Sequence, residues 1–162
     1  MEAGGARRQI MVALEPSEES TYALEWALEY LVISPDSDHL ILLYVAPESL
    51  HNTMITGKEV SFSSHVLSVL EKNKKQTAHR VIELAKTMCE KYNVTYETKV
   101  MVGEAKFVIC DAAKKLNVDL LVVGGHDFGA IKRFFIGSNL GEYCINHAKC
   151  PVALVKRRGK RT

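Results

Sequence analysis

The chain has 162 residues, 47% hydrophobic and 25% charged, with a formal net charge of +2 at pH 7. That length makes one domain large enough to bury a core, and no long low-complexity tract interrupts the composition. Five of the basic residues lie in the stretch Lys156–Arg161, which leaves the remainder at −3 and excludes the basic face of a nucleic-acid-binding domain.

No apolar run approaches the ~18 residues that span a bilayer, so no membrane partner is expected. The opening "MEAGGARRQIMVAL" lacks the apolar stretch and small-residue cleavage site of a signal peptide. The expectation is a soluble cytoplasmic protein. Residues 1–7 form a flexible end, 8–156 the domain and 157–162 a solvated basic tail, with nuclear import as the tail's alternative role.

In chain order, "QIMVAL" (Gln9 to Leu14) is a strand buried on both faces. Ser17 is the N-cap of the helix that follows, with Glu18 and Glu19 in its first turn, where the dipole favours them. Ala23, Trp26, Ala27, Tyr30 and Leu31 supply its apolar stripe. "HLILLYV" (His39 to Val45) is the second strand. Residues Ala46 to Ser63 lack a period and read as a loop or lid. A long helix runs from Ser64 to Tyr92, with Val81, Leu84, Ala85, Met88 and Cys89 on its inner side. "TYETKV" (Thr95 to Val100) alternates polar and apolar residues, as an edge strand does. A helix over Gly103–Leu116 turns Ala105, Val108, Ile109, Ala112 and Leu116 inward. "DLLVVGG" is a fourth strand, Ser138–His147 a fourth helix and "CPVALVK" a fifth strand.

This alternation predicts an α/β fold: a doubly wound, five-stranded parallel sheet with helices on both faces, Rossmann-like in plan. Ligands bind such sheets beyond the carboxyl ends of the strands, where the winding reverses. The ends of the first and fourth strands, "ALEPS" and "VVGGHD", are therefore expected to face each other.

Several chemistries are absent from the sequence. It holds no Walker-type phosphate loop, no G-x-G-x-x-G after the first strand and no G-x-S-x-G elbow. Its six histidines are scattered, and none is assigned a catalytic role. Cys144-x2-His147-x2-Cys150 matches no usual zinc spacing, and the four cysteines read as small buried hydrophobes without a disulfide framework. Asn93-Val94-Thr95 is a glycosylation sequon by letters only. What remains is Gly124-Gly125-His126-Asp127 and, further on, Gly137-Ser138-Asn139. Glycines at a strand end and a Gly-Ser pair opening a helix suit a phosphate site; a tight turn and an N-cap explain them equally.

The chain resembles the universal stress proteins from about Arg8 to Lys156. "VALEPSEESTYALEWAL" is similar to the family's opening "VAVDxSExSxxALxWAL". "VVGGHDFGAIKRFFIGSNLGEYCINHAKCPVALVK" is similar to its closing G-x2-G-x9-G-[ST] segment, closest to single-domain plant members. The resemblance implies an adenine-nucleotide (ATP or AMP) binding homodimer. Such a dimer pairs through its last strand, Pro151 to Lys156, and is non-catalytic, acting in stress responses through protein partners that remain unknown. It carries adenine contacts onto Ala13, Glu15, Val45 and Val123, and phosphate and ribose contacts onto Gly124, Gly137, Ser138 and Asn139, with Leu14 also in the nucleotide site.

Two departures stand out. Glu15 replaces the usual aspartate and is followed by Pro16. Asp127 replaces the second motif glycine, so it joins the predicted site as a carboxylate facing phosphate. Two like charges ~4 Å apart repel by about 4 kcal/mol at an effective dielectric of 20, roughly a thousandfold in affinity. Lys132 and Arg133 can offset that repulsion, and Mg²⁺ can bridge carboxylate and phosphate. If Asp127 merely caps a turn over a degenerate pocket, the alternative is a nucleotide-free scaffold or chaperone-like dimer. A slow ATPase ranks last, for want of a nameable general base or P-loop lysine.

Overall fold

The computed structural model describes residues 5–32, 34–48, 64–125 and 140–158. The described elements are β1 (Arg8–Leu14), α1 (Glu18–Tyr30), β2 (Asp38–Ala46), α2 (Ser64–Lys91), β3 (Tyr96–Val102), α3 (Ala105–Lys115), β4 (Leu120–Gly125), α4 (Leu140–His147) and β5 (Val152–Lys156). Every neighbouring pair of strands is parallel, and the sheet order is β3-β2-β1-β4-β5. The doubly wound five-stranded sheet expected from the sequence is present. Most of the expected loop, residues 49–63, lies outside the described residues, as do residues 1–4 and 159–162 of the expected flexible ends.

The period-2 alternation of each strand divides the apolar residues between two cores. Ile10, Val12 and Leu14 of β1, with Leu40, Leu42 and Val122, pack under α1 and α2. Met11, Ala13, Ile41, Leu43, Leu121 and Val123 pack under α3 and α4. β1 is central and covered on both faces, which is why its run is continuously apolar.

Two expected stripes shift in the structure. In α1 the buried residues are Ser20, Ala23, Leu24, Ala27 and Leu28, whereas Tyr30 is 69% exposed and Trp26 only partly buried. Small alanines let the helix lie close to the sheet, and the bulky aromatics turn to its flank. In α2, Ala85 and Cys89 are buried but Leu84 is 51% exposed. β3 occupies the edge as expected and continues to Val102; Val100 and Val102 are largely exposed.

The helix ends follow local chemistry. Ser17 caps α1, its side chain accepting from the Ser20 N–H at 3.2 Å. Asn93 and Asn117, each at φ 50, follow α2 and α3 in the left-handed conformation that asparagine tolerates. Asn93 of the sequon therefore has a backbone role.

No basic residue lies in the last turn of α1; Arg8 of β1 supplies one from across the fold. Its Nη2 donates to the Leu31 carbonyl at 2.6 Å, and its Nε meets Asp38 Oδ1 at 2.8 Å. Asp38 is 2% exposed and also accepts from the Ser34 N–H. One guanidinium thus joins the starts of β1 and β2 to the end of α1, where cations suit the helix dipole. Asp38→Ala removes a charged acceptor beneath Arg8. Urea unfolding should register a loss of about 2 kcal/mol, and an unchanged midpoint would show that this junction adds nothing to stability.

Candidate functional site

The pairing of β1 with β4 ends at Val12↔Val122, while β1 stays paired with β2 through Leu14↔Tyr44. β1 and β4 therefore part at their carboxyl ends, where the winding reverses, and a crevice is expected there. The β1–α1 turn is built to hold this opening. The Glu15 N–H donates to Ser20 Oγ at 2.8 Å, the Ser20 hydroxyl reaches back toward the Ala13 carbonyl at 3.5 Å, and the Ser17 N–H donates to the Glu15 carbonyl at 2.8 Å. Ser20 is 2% exposed, so its hydroxyl serves as an internal tie. Pro16 keeps Glu15 out of the helical conformation.

A cleft of about 400 Å³ opens at the carboxyl ends of β1 and β2, within the range of small-ligand sites. Leu14, Glu15 and Pro16 form one wall, and Tyr44, Val45 and Pro47 the strand side. Leu70, Asn73, Lys74 and Thr77 of α2 close it from above, and Ala105 and Ile109 of α3 from below. The site is a mostly apolar slot whose lining includes two charges of opposite sign, Glu15 and Lys74. Lys74 Nζ donates to the Glu48 carbonyl at 2.7 Å and lies 3.9 Å from Glu71. Burial raises the pKa of Tyr44, so its phenol stays protonated.

A second cleft, of about 620 Å³, runs between α1 and α2 past Val81, Leu84 and Met88. It shares Leu14, Glu15, Pro16 and Thr77 with the first, so the β1–α1 turn is the partition between them. Arg157, beyond β5, pairs with Glu18 at its rim. The larger cleft lies over the α1–α2 pair; the smaller sits beyond the ends of β1 and β2, beside the point where β1 and β4 part, and no described residue of β4 lines it.

Of the residues expected at the site, Leu14, Glu15 and Val45 line the smaller cleft. Ala13 and Val123 are each 1% exposed in the α3–α4 core, and neither lines either cleft. Gly124 is buried against α1: a Cβ there would stand 2.8 Å from the Glu19 carbonyl oxygen. Close packing of α1 on β4 thus requires this glycine, whatever else it contacts. Asp127, Gly137, Ser138 and Asn139 lie outside the described residues, as do Lys132 and Arg133.

The α2 contribution escaped sequence reading. Leu70, Asn73, Lys74 and Thr77 recur at helical spacing, but the stripe is mostly polar and does not register as an inner face.

Among the described residues no group of three His, Cys, Asp or Glu side chains is placed to hold a metal. His147 Nδ1 lies 3.0 Å from the Tyr143 carbonyl, and its ring stacks on Tyr143 with centroids 4.0 Å apart. All four thiols are free. Burial, reinforced by Glu90, pushes the Cys89 thiol up to about 12. Among the described residues no helix is long and apolar enough to cross a membrane.

Comparison with known proteins gives a consistent result. The family model described as "Universal stress protein family" matches residues 6–156. A "Universal stress protein A-like protein" of Arabidopsis thaliana is 28% identical over 168 aligned positions, covering 98% of this chain and 95% of the relative. The crystal structure of a universal stress protein family protein from Arabidopsis thaliana, with AMP bound, superposes with a TM-score of 0.69. It is 25% identical, covering 93% of this chain and 92% of that one. A universal stress protein solved in complex with cAMP shares the fold at a TM-score of 0.63 and 18% identity, with 94% and 98% of the two chains covered.

The approach of α1 to β4 yields a direct test. Gly124→Ala forces Cβ into backbone, not into a side chain that can swing away. In nucleotide-free protein it should cost about 1–3 kcal/mol, a fall in Tm on the order of 5 °C. An unchanged Tm would remove the packing role and leave the glycine to a ligand alone.

Proposed function

The chain belongs to the universal stress protein family, and from that premise we propose that it is a cytoplasmic, non-catalytic homodimer that binds an adenine nucleotide and acts in stress responses through protein partners. The observation that carries the reading is the cleft at the strand ends, with Glu15 and Val45 in its lining. The AMP-bound Arabidopsis relative supports the same ligand class.

The residues present suit such a ligand. Val45 and Ile109 offer apolar surface to a flat heterocycle, and Glu15, held by its backbone to Ser20, can accept from an exocyclic amine or a ribose hydroxyl. Among the described residues Lys74 is the cation in the cleft lining, a charge that favours an anionic ligand. Gly137, Ser138 and Asn139 are assigned to phosphate and ribose by sequence resemblance, and Asp127 opposes phosphate by its charge. Mg²⁺ would reduce that opposition by bridging the two.

Calorimetric titration of wild type and Asp127→Gly with AMP and ATP, with and without Mg²⁺, tests this reading. Wild type should bind AMP more tightly than metal-free ATP. Asp127→Gly should tighten metal-free ATP by as much as roughly a thousandfold if the full repulsion of the carboxylate is felt. Weaker metal-dependent ATP binding in the variant would assign Asp127 to Mg²⁺ instead. If neither protein takes up any adenine nucleotide at millimolar concentration, the reading fails and a nucleotide-free scaffold dimer replaces it.

The dimer reading rests on β5, which ends the strand order with no described strand on its outer side. An unpaired edge of apolar character favours strand addition, and antiparallel pairing with a second copy satisfies it. Leu154→Pro removes a donor from that outer edge, because Pro151 and Ala153 turn their backbone groups toward Leu121 of β4 and the alternate residues face away. Sedimentation should then show monomer, whereas a persistent dimer would place the interface elsewhere.

A further inference from the structure

Cys110 of α3 and Cys144 of α4 bring their Sγ atoms to 3.8 Å across the contact between the two helices. Nothing in nucleotide binding uses them. They are 34 residues apart in sequence, and a purely apolar core has no need of two thiols in contact. The two differ in access. Cys144 is 0% exposed, and burial, with Cys110 second, raises its pKa, whereas Cys110 is half-buried. The outer thiol therefore meets solutes first, and the inner one waits behind it.

We propose that Cys110 and Cys144 are a peroxide-responsive dithiol site that closes reversibly to an intrachain disulfide. In the first step the Cys110 thiolate attacks one oxygen of hydrogen peroxide. An S–O bond forms, the O–O bond breaks, and the departing hydroxide leaves as water after taking a proton. In the second step the Cys144 sulfur attacks the Cys110 sulfenic acid. The S–S bond forms, the S–O bond breaks, and the hydroxide released takes the Cys144 proton as a second water. Two thiols are oxidised and one peroxide is reduced to two waters.

Closure needs the sulfurs to approach by about 2 Å to reach disulfide bonding distance, a movement within reach of two short side chains on adjoining helices. Cys150 is the competing partner, since Cys110 also influences its thiol. Cys89 lies in the core of the opposite sheet face, apart from all three.

The sequence makes the test unambiguous, because trypsin places each cysteine in its own peptide: Thr87–Lys91, Phe107–Lys114, Phe134–Lys149 and Cys150–Lys156. Full-length reduced protein is treated with hydrogen peroxide beside glutathione as an internal comparator, then digested without reductant. The expected result is a cross-linked pair of Phe107–Lys114 with Phe134–Lys149, an intact mass lower by two hydrogens, and two of the four thiols lost, all restored by dithiothreitol. Cys150→Ser should leave the cross-link unchanged, and Cys144→Ala should leave a Cys110 sulfenic acid that dimedone traps. A Cys110–Cys150 link, a link between two chains, a Cys110 sulfinic acid without cross-link, or four intact thiols once the glutathione is fully oxidised would each overturn the proposal. The wild-type map decides even if Cys144→Ala does not fold.

Discussion

The buried hydroxyl of Ser20 accepts from the Glu15 N–H and points back to the Ala13 carbonyl, tying the end of β1 to the first turn of α1. Because Ser20 is 2% exposed, its hydroxyl has no water as a substitute, and loosening the tie would leave that buried polar atom without partners. The tie fixes where α1 begins, and so how closely its first turn meets β4. Gly124 is the consequence on the sheet side: the Glu19 carbonyl occupies the space where a side chain would start. Glu15 and Pro16 are then held as the partition between two clefts.

Around that junction the molecule is organised by the two faces of its sheet. The α1–α2 face is stitched at its base by Arg8, which reaches Asp38 and the Leu31 carbonyl at the end of α1. The α3–α4 face holds the small side chains of Ala112, Ala113 and Cys144, which let these helices lie close to the strands. The candidate site draws on both faces, taking Leu14 and Tyr44 from one and Val45 and Ile109 from the other. It is a product of the strand ends and not of any single helix, which is the usual economy of a doubly wound sheet.

Much of this was legible in the sequence. Strands buried on both faces write themselves as unbroken apolar runs, so β1, β2 and β4 declared themselves, and β3 declared its edge position by alternation. Ser17 declared itself as an N-cap through the acidic residues behind it. Other features depend on tertiary placement and left no local mark. Tyr30 and Leu84 fit an apolar helical period yet face outward, because alanines and not aromatics meet the sheet. The Asn73, Lys74 and Thr77 side of the cleft is polar and carries no hydrophobic period. Gly124 looked like a ligand residue, and its packing role appears only when the backbone of Glu19 is in view. The contact between Cys110 and Cys144 joins two helices and has no sequence signature.

The central claim is that the smaller cleft, at the strand ends, takes an adenine nucleotide. Methyl-resolved NMR titration with AMP tests it most directly, because the two clefts carry different methyl groups. The account predicts saturable shifts centred on Val45, Leu70 and Ile109, with Val81, Leu84 and Met88 of the α1–α2 cleft little changed. Shifts centred on Val81, Leu84 and Met88, or none at millimolar AMP, would contradict it.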